Sequence, residues 1–114
     1  MEAFATHKMA MIAPRKARMT LDLIRGKDIA SALAILKNTN TKSSRLTIKV
    51  LNSAIANAEN NLSLKRETLT VSECYINPGP VLKRIKFGSR TKVDRRDKRT
   101  SHIMIKVSDG VKEA

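Results

Sequence analysis

The sequence has no tryptophan, one tyrosine, two phenylalanines and one cysteine in 114 residues. The lone Cys74 excludes an internal disulfide and any metal site built from cysteine pairs. The two histidines, His7 and His102, stand far apart, without ligand spacing and without an acid placed to orient a base. The 4 glycines and 10 acidic residues form no phosphate-binding glycine loop, no serine-centred elbow and no paired-carboxylate signature. No catalytic residue, metal ligand or cofactor is therefore expected, and the chain reads as a non-enzyme. No apolar run approaches the ~18 residues of a membrane span. The first residues lack the basic-then-apolar order of a signal peptide. A cytoplasmic location without a membrane span is expected.

Aromatic residues make up 3% of the chain, so Leu, Ile, Val, Met and Ala must fill a core drawn from its 41% hydrophobic content. The length suits one domain, residues 1–114, with one core. What is abundant is positive charge: 23 Lys and Arg against 10 Asp and Glu, a formal +13. Such a field concentrates phosphate groups around the protein, and displacing the counterions of a nucleic acid favours binding at low salt. Charge alone does not separate RNA, DNA and anionic membrane.

Residues 4–11 alternate loosely, as a strand leading into Ala13-Pro14. Pro14 suits the first turn of a helix and Gly26 the residue just past its end. Between them Ala17, Leu21 and Ile24 share one stripe, and Arg15, Arg18, Asp22 and Arg25 another. Asp28 can cap a second helix with Ile29, Ala32, Leu33 and Leu36 at helical spacing. Thr41 can cap a third, running to about Asn60, with Asn60-Asn61 as its left-handed exit. That helix has two apolar stripes, Ile48, Leu51, Ile55, Ala58 and Leu62 beside Leu46, Val50 and Ala54, which places it centrally. A strand follows from Thr68 to Ile76, then the break Asn77-Pro78-Gly79-Pro80, then a second extended run from Val81. The final run, His102 to Val107, sets Ile103, Ile105 and Val107 on one face and His102, Met104 and Lys106 on the other. The expected fold is α+β: three helices packed on a small antiparallel sheet, with a long projecting β-hairpin at about residues 81–103.

The charge is uneven. Lys83, Arg84, Lys86, Arg90, Lys92, Arg95, Arg96, Lys98 and Arg99 face only Asp94 and Asp97, so 17 residues carry +7 of the +13. Ile85, Phe87 and Val93 are the only sizeable apolar residues there, too few to offset about 1–2 kcal/mol of backbone ordering per residue. A hairpin arm of about ten residues is ~30 Å long, against a radius of gyration of ~13 Å for a compact domain of this size. The arm projects and gains its order from a polyanion, with Arg and Lys contacts to phosphate in place of a core. Read alone, Arg15, Lys16, Arg18 and Arg25 serve first to keep an amphipathic helix soluble, with phosphate contact as the second reading. Asn52, Asn57, Asn60 and Asn61 read first as caps and polar-face residues, and His102 as a strand residue near RNA or at a satisfied edge.

Six ordered stretches carry a resemblance: Ala13-Pro-Arg-Lys-Ala-Arg18, Leu21-Asp-Leu-Ile-Arg-Gly-Lys27, Ala32-Leu-Ala-Ile-Leu36, residues 50–61, Gly79-Pro-Val-Leu-Lys-Arg84 and Lys98-Arg-Thr-Ser-His-Ile103. Together they resemble the bacterial large-subunit ribosomal protein L-twenty-two family over nearly the whole chain. The resemblance implies a structural constituent of the large subunit that binds its rRNA, supports assembly and sets a hairpin at the wall of the polypeptide exit tunnel. Implied partners are large-subunit rRNA, neighbouring ribosomal proteins near the tunnel exit and the nascent chain at the hairpin tip. By position it assigns rRNA contact to Arg15, Lys16, Arg18, Asn52, Asn57, Asn60, Lys83, Arg84, Lys98, Arg99, Thr100, Ser101 and His102. The remaining arm cations and Arg25 join these on charge. The tunnel-facing tip is Gly88, Ser89, Arg90, Thr91 and Lys92, and the stretch from Phe87 to Val93 around it departs from the family pattern at unchanged length. Ala13 stands where the family commonly has a capping serine, which implies a weaker cap. The alternative on charge alone is a freestanding nucleic-acid-binding protein or RNA chaperone.

Overall fold

The computed structural model describes residues 2–87 and 93–109. Strand β1 (Glu2–Ala10) leads into helices α1 (Pro14–Ile24), α2 (Ile29–Asn38) and α3 (Lys42–Asn61). A short 3-10 turn (Arg66–Thr68) precedes β2 (Thr70–Pro78), β3 (Leu82–Phe87), β4 (Val93–Lys98) and β5 (Ser101–Ser108). The expected α+β class and its three helices are present. β1, β5 and β2 form an antiparallel sheet in the order β1-β5-β2, so the last strand enters between the first two.

The alternation read in β5 decides where the core lies. Ile103, Ile105 and Val107 are fully buried, facing the helices together with Ala3 and Ala5 of β1 and Val71, Cys74 and Ile76 of β2. Ala17, Leu21 and Ile24 of α1, Ala32 and Leu36 of α2, and Leu51, Ala54, Ile55 and Ala58 of α3 close that layer. Each large aliphatic side chain so buried contributes about 1.5–3 kcal/mol. Small alanines on β1 and α3 let strand and helix approach closely.

Pro14 opens α1 behind Ala13, which makes no side-chain cap hydrogen bond. Gly26 follows the helix at φ +78°, a conformation open to glycine at no steric cost. Thr41 caps α3 as expected, its Oγ1 accepting from the Ser44 amide at 3.2 Å. The exit of α3 differs from expectation: the helix runs through Asn61, and Ser63, not an asparagine, is left-handed at φ +55°. Leu62 packs on the core and its amide donates to Ala58 O, which holds the chain helical past the asparagine pair.

β3 and β4 form a separate antiparallel pair, from Leu82↔Lys98 to Phe87↔Val93. Three residues, 79–81, join β2 to β3, and two, 99–100, join β4 to β5. Unequal linkers cannot continue one flat ladder, so the pair leaves the main sheet at a bend. The chain measures 63 × 28 × 20 Å with a radius of gyration of 17.2 Å, well above ~13 Å for a compact domain.

Candidate nucleic-acid interface

The bend is the most closely fixed part of the arm. Thr100 Oγ1 donates to Pro80 O at 2.6 Å and the Gly79 amide donates to Thr100 O at 2.9 Å. A Cβ on Gly79 would stand 2.5 Å from Thr100 Oγ1, so glycine is needed for close approach. Ser101 Oγ donates to Ile12 O at 2.6 Å, tying the return strand to the turn before α1. His102 Nδ1 accepts the Met9 amide at 3.0 Å, which leaves Nε2 as the protonated nitrogen. Thr100 and Ser101 are buried. Both hydroxyls therefore already serve the pivot of the arm.

Beyond the pivot, Lys83, Lys98 and Arg99 are exposed, as is Ile85 at 69%. Arg84, Lys86, Arg95 and Arg96 are placed by their backbone only, as paired positions of β3 and β4. The ladder pairs Arg84 with Arg96, and sets Lys83 opposite Asp97 and Lys86 opposite Asp94. Opposite charges at paired positions favour a ladder, and the Arg84–Arg96 position is the like-charged one. The expected tip, Gly88, Ser89, Arg90, Thr91 and Lys92, lies outside the described residues.

The cations of α1 divide into two sets. Arg15 and Lys16 are exposed, and no described residue pairs with either. Arg18 and Arg25 reach across to the outer edge of β2, donating to Ile76 O at 3.3 Å and to Cys74 O at 2.9 Å. Arg25 also pairs with Asp22 at 2.6 Å, the main reason its guanidinium is held more strongly protonated than usual. Asn57 does the same at the opposite edge, donating to Phe4 O of β1 at 2.9 Å. Both free edges of the sheet are thus partly satisfied by side chains from the helices, a device that blunts strand addition. Asn52 and Asn60 remain exposed on α3.

Two cations escaped the sequence reading. Lys8, in the bulge of β1, and Lys49 of α3 line one cleft with His7 and Ser53. Lys49 was legible as the i−3 neighbour of Asn52, whereas Lys8 requires the packing of β1 on α3. Among the described residues no group of three or more His, Cys, Asp or Glu is placed to hold a metal ion, and no helix is long and apolar enough to cross a membrane.

The chain from residue 5 to 108 matches the family model described as Ribosomal protein L22p/L17e. It is similar to the large ribosomal subunit protein uL22 of Staphylococcus aureus strains JH9 and Newman, with 53% identity over 114 residues. The alignment takes in 100% of this chain and 97% of each relative.

Proposed function

The chain belongs to the ribosomal protein L22p/L17e family, and from that premise we propose how it works as a structural constituent of the large ribosomal subunit. It resides in the cytoplasmic ribosome and binds large-subunit rRNA, with ribosomal proteins as neighbours. We read no catalytic role for it. The observation that carries the mechanism is the separation of the β3–β4 pair from the core, with +7 of the formal charge between Lys83 and Arg99.

The globular domain serves as a platform. Lys83, Arg84, Lys86, Arg90, Lys92, Arg95, Arg96, Lys98 and Arg99 neutralise phosphates along an arm that passes between RNA segments. Each ion pair with phosphate replaces a condensed counterion. Arg15, Lys16, Asn52 and Asn60, with Lys8 and Lys49 added, contact RNA from the platform. Arg18 and Arg25 retain N–H donors beyond those used at β2, so each can hold the sheet edge and a phosphate together. His102 presents its Nε2–H outward from the pivot, while Thr100 and Ser101 set the direction of the arm, and Asn57 fixes β1 on α3. The tip, Gly88 to Lys92, reaches the tunnel wall, where the nascent chain passes.

Sedimentation through a moderate salt wash tests this function. The chain is expected in the large-subunit fraction, with chemical protection of discrete rRNA sites that shrinks when residues 86–96 are deleted. Recovery only as free protein, or an unchanged footprint after the deletion, overturns the reading.

A further inference from the structure

The sheet has a second face, and among the described residues no helix covers it. Register sets Thr6, Met104 and Tyr75 in one row across β1, β5 and β2, and Phe4, Lys106 and Glu73 in the next. Phe4 is 59% exposed, Tyr75 40%, and Met9 beside the pivot 50%. Two of the three aromatic residues of the chain stand here. Single exposed apolar residues are ordinary, whereas several on one continuous face mark an interaction surface.

Charge identifies what kind of surface. Within a chain of +13, the ionised residues in the paired rows of this face are Glu2, Glu73 and Lys106, Lys8 lying beyond them in the bulge of β1. Lys106 Nζ lies 3.6 Å from Glu2 and 3.5 Å from Glu73, so its charge is already shared by two carboxylates. The face carries a net negative charge, and a phosphate laid on it meets a carboxylate without a free cation. Electrostatic complementarity selects a basic occupant instead. The exposed rings of Phe4 and Tyr75 attract Lys or Arg over their faces in the same sense. The edges are occupied by Arg18, Arg25 and Asn57, which favours a ligand lying across the face over one added as a fourth strand.

We infer that this face docks a basic segment of a neighbouring protein of the large subunit, its apolar side chains on Phe4, Met104 and Tyr75 and its cations beside Glu2 and Glu73. The inference rests on the reading of the chain as a large-subunit protein. A photoreactive benzoylphenylalanine in place of Phe4, and separately in place of Tyr75, tests it in purified large subunits. The expected product is a cross-link to one ribosomal protein, at a peptide rich in Lys or Arg. Glu73→Lys is expected to lower its yield about fivefold, the factor that about 1 kcal/mol of lost pairing carries. Glu67→Lys, an equal change of charge on the 3-10 turn, is expected to leave it unchanged. Cross-links to rRNA, no cross-link from either position in subunits that contain the chain, or equal response to the two charge reversals would overturn the inference. Absence of the unsubstituted chain from the subunit overturns the functional reading on which it rests, and the inference with it.

Discussion

At the scale of single residues, two glycines are needed for different reasons. Gly26 has open space where a Cβ would go, and only its φ of +78° resists a side chain. Gly26→Ala is expected to cost about 1–2 kcal/mol in urea unfolding. At Gly79 the obstacle is Thr100 Oγ1, and Gly79→Ala displaces the hydroxyl that holds Pro80 O. A loss of about 1–3 kcal/mol is expected, and Thr100→Ala, which removes the obstructing hydroxyl and leaves no atom in its place, should reduce the cost of the alanine at Gly79 in a double-mutant cycle. Titration adds a third expectation. Burial pushes the Cys74 thiol up, and the carboxylates of Glu73 and then Glu2 push the Lys106 ammonium up. In both cases the folded chain binds the proton more tightly than the unfolded one. Their contribution is complete below the unfolded values of ~8.5 and ~10.4 and is lost as pH rises through the folded ones. Urea midpoints should therefore fall from about pH 9 upward; a flat profile to pH 11 would contradict the assignment.

At the scale of elements, the proposed RNA contacts of α1 and the β3–β4 pair can be tested apart from folding. Replacing Arg15 and Lys16 by Ala should leave stability within about 0.5 kcal/mol. It should also lower the salt slope of rRNA binding by about one for each phosphate no longer neutralised. Arg25→Ala should cost about 1 kcal/mol of stability, because Cys74 O loses a charged donor at a partly exposed site. Thermal unfolding beside filter binding at several salt concentrations distinguishes the two behaviours. Residues 86–96 belong to the β3–β4 arm, apart from the three-stranded sheet, so deleting them should leave the melting temperature of the domain within about 4 °C. Incorporation into the large subunit is where that deletion should be felt.

At the scale of the molecule, the chain is a small core with its charge carried outward. The 63 Å long axis follows from a hairpin with too little apolar surface to fold back on the domain. The exposed cations Arg15 and Lys16 stand on a helix, while the bare sheet face is apolar and mildly acidic. On the proposed reading the molecule meets RNA with its helices and arm and protein with its bare sheet face, and the difference in charge between these surfaces opposes an exchange of partners.

The sequence by itself determined the helices, the inward face of β5, the arm and its charge. Those features depend on local periodicity, on Pro14, Gly26 and Thr41 as boundary residues, and on a count of side chains. Only the tertiary structure decided that β5 lies between β1 and β2, because strand order depends on which surfaces meet at long range. It also decided the duties of particular polar residues. Arg18, Arg25 and Asn57 read from the sequence as solvent-facing cations and an amide, yet each satisfies a carbonyl on a sheet edge formed by residues 49 or more positions away. The resemblance implies rRNA contact for Thr100 and Ser101, and in the structure their hydroxyls donate to Pro80 O and Ile12 O at the pivot. A polar side chain announces its donors in the sequence; the acceptor it meets is set by packing.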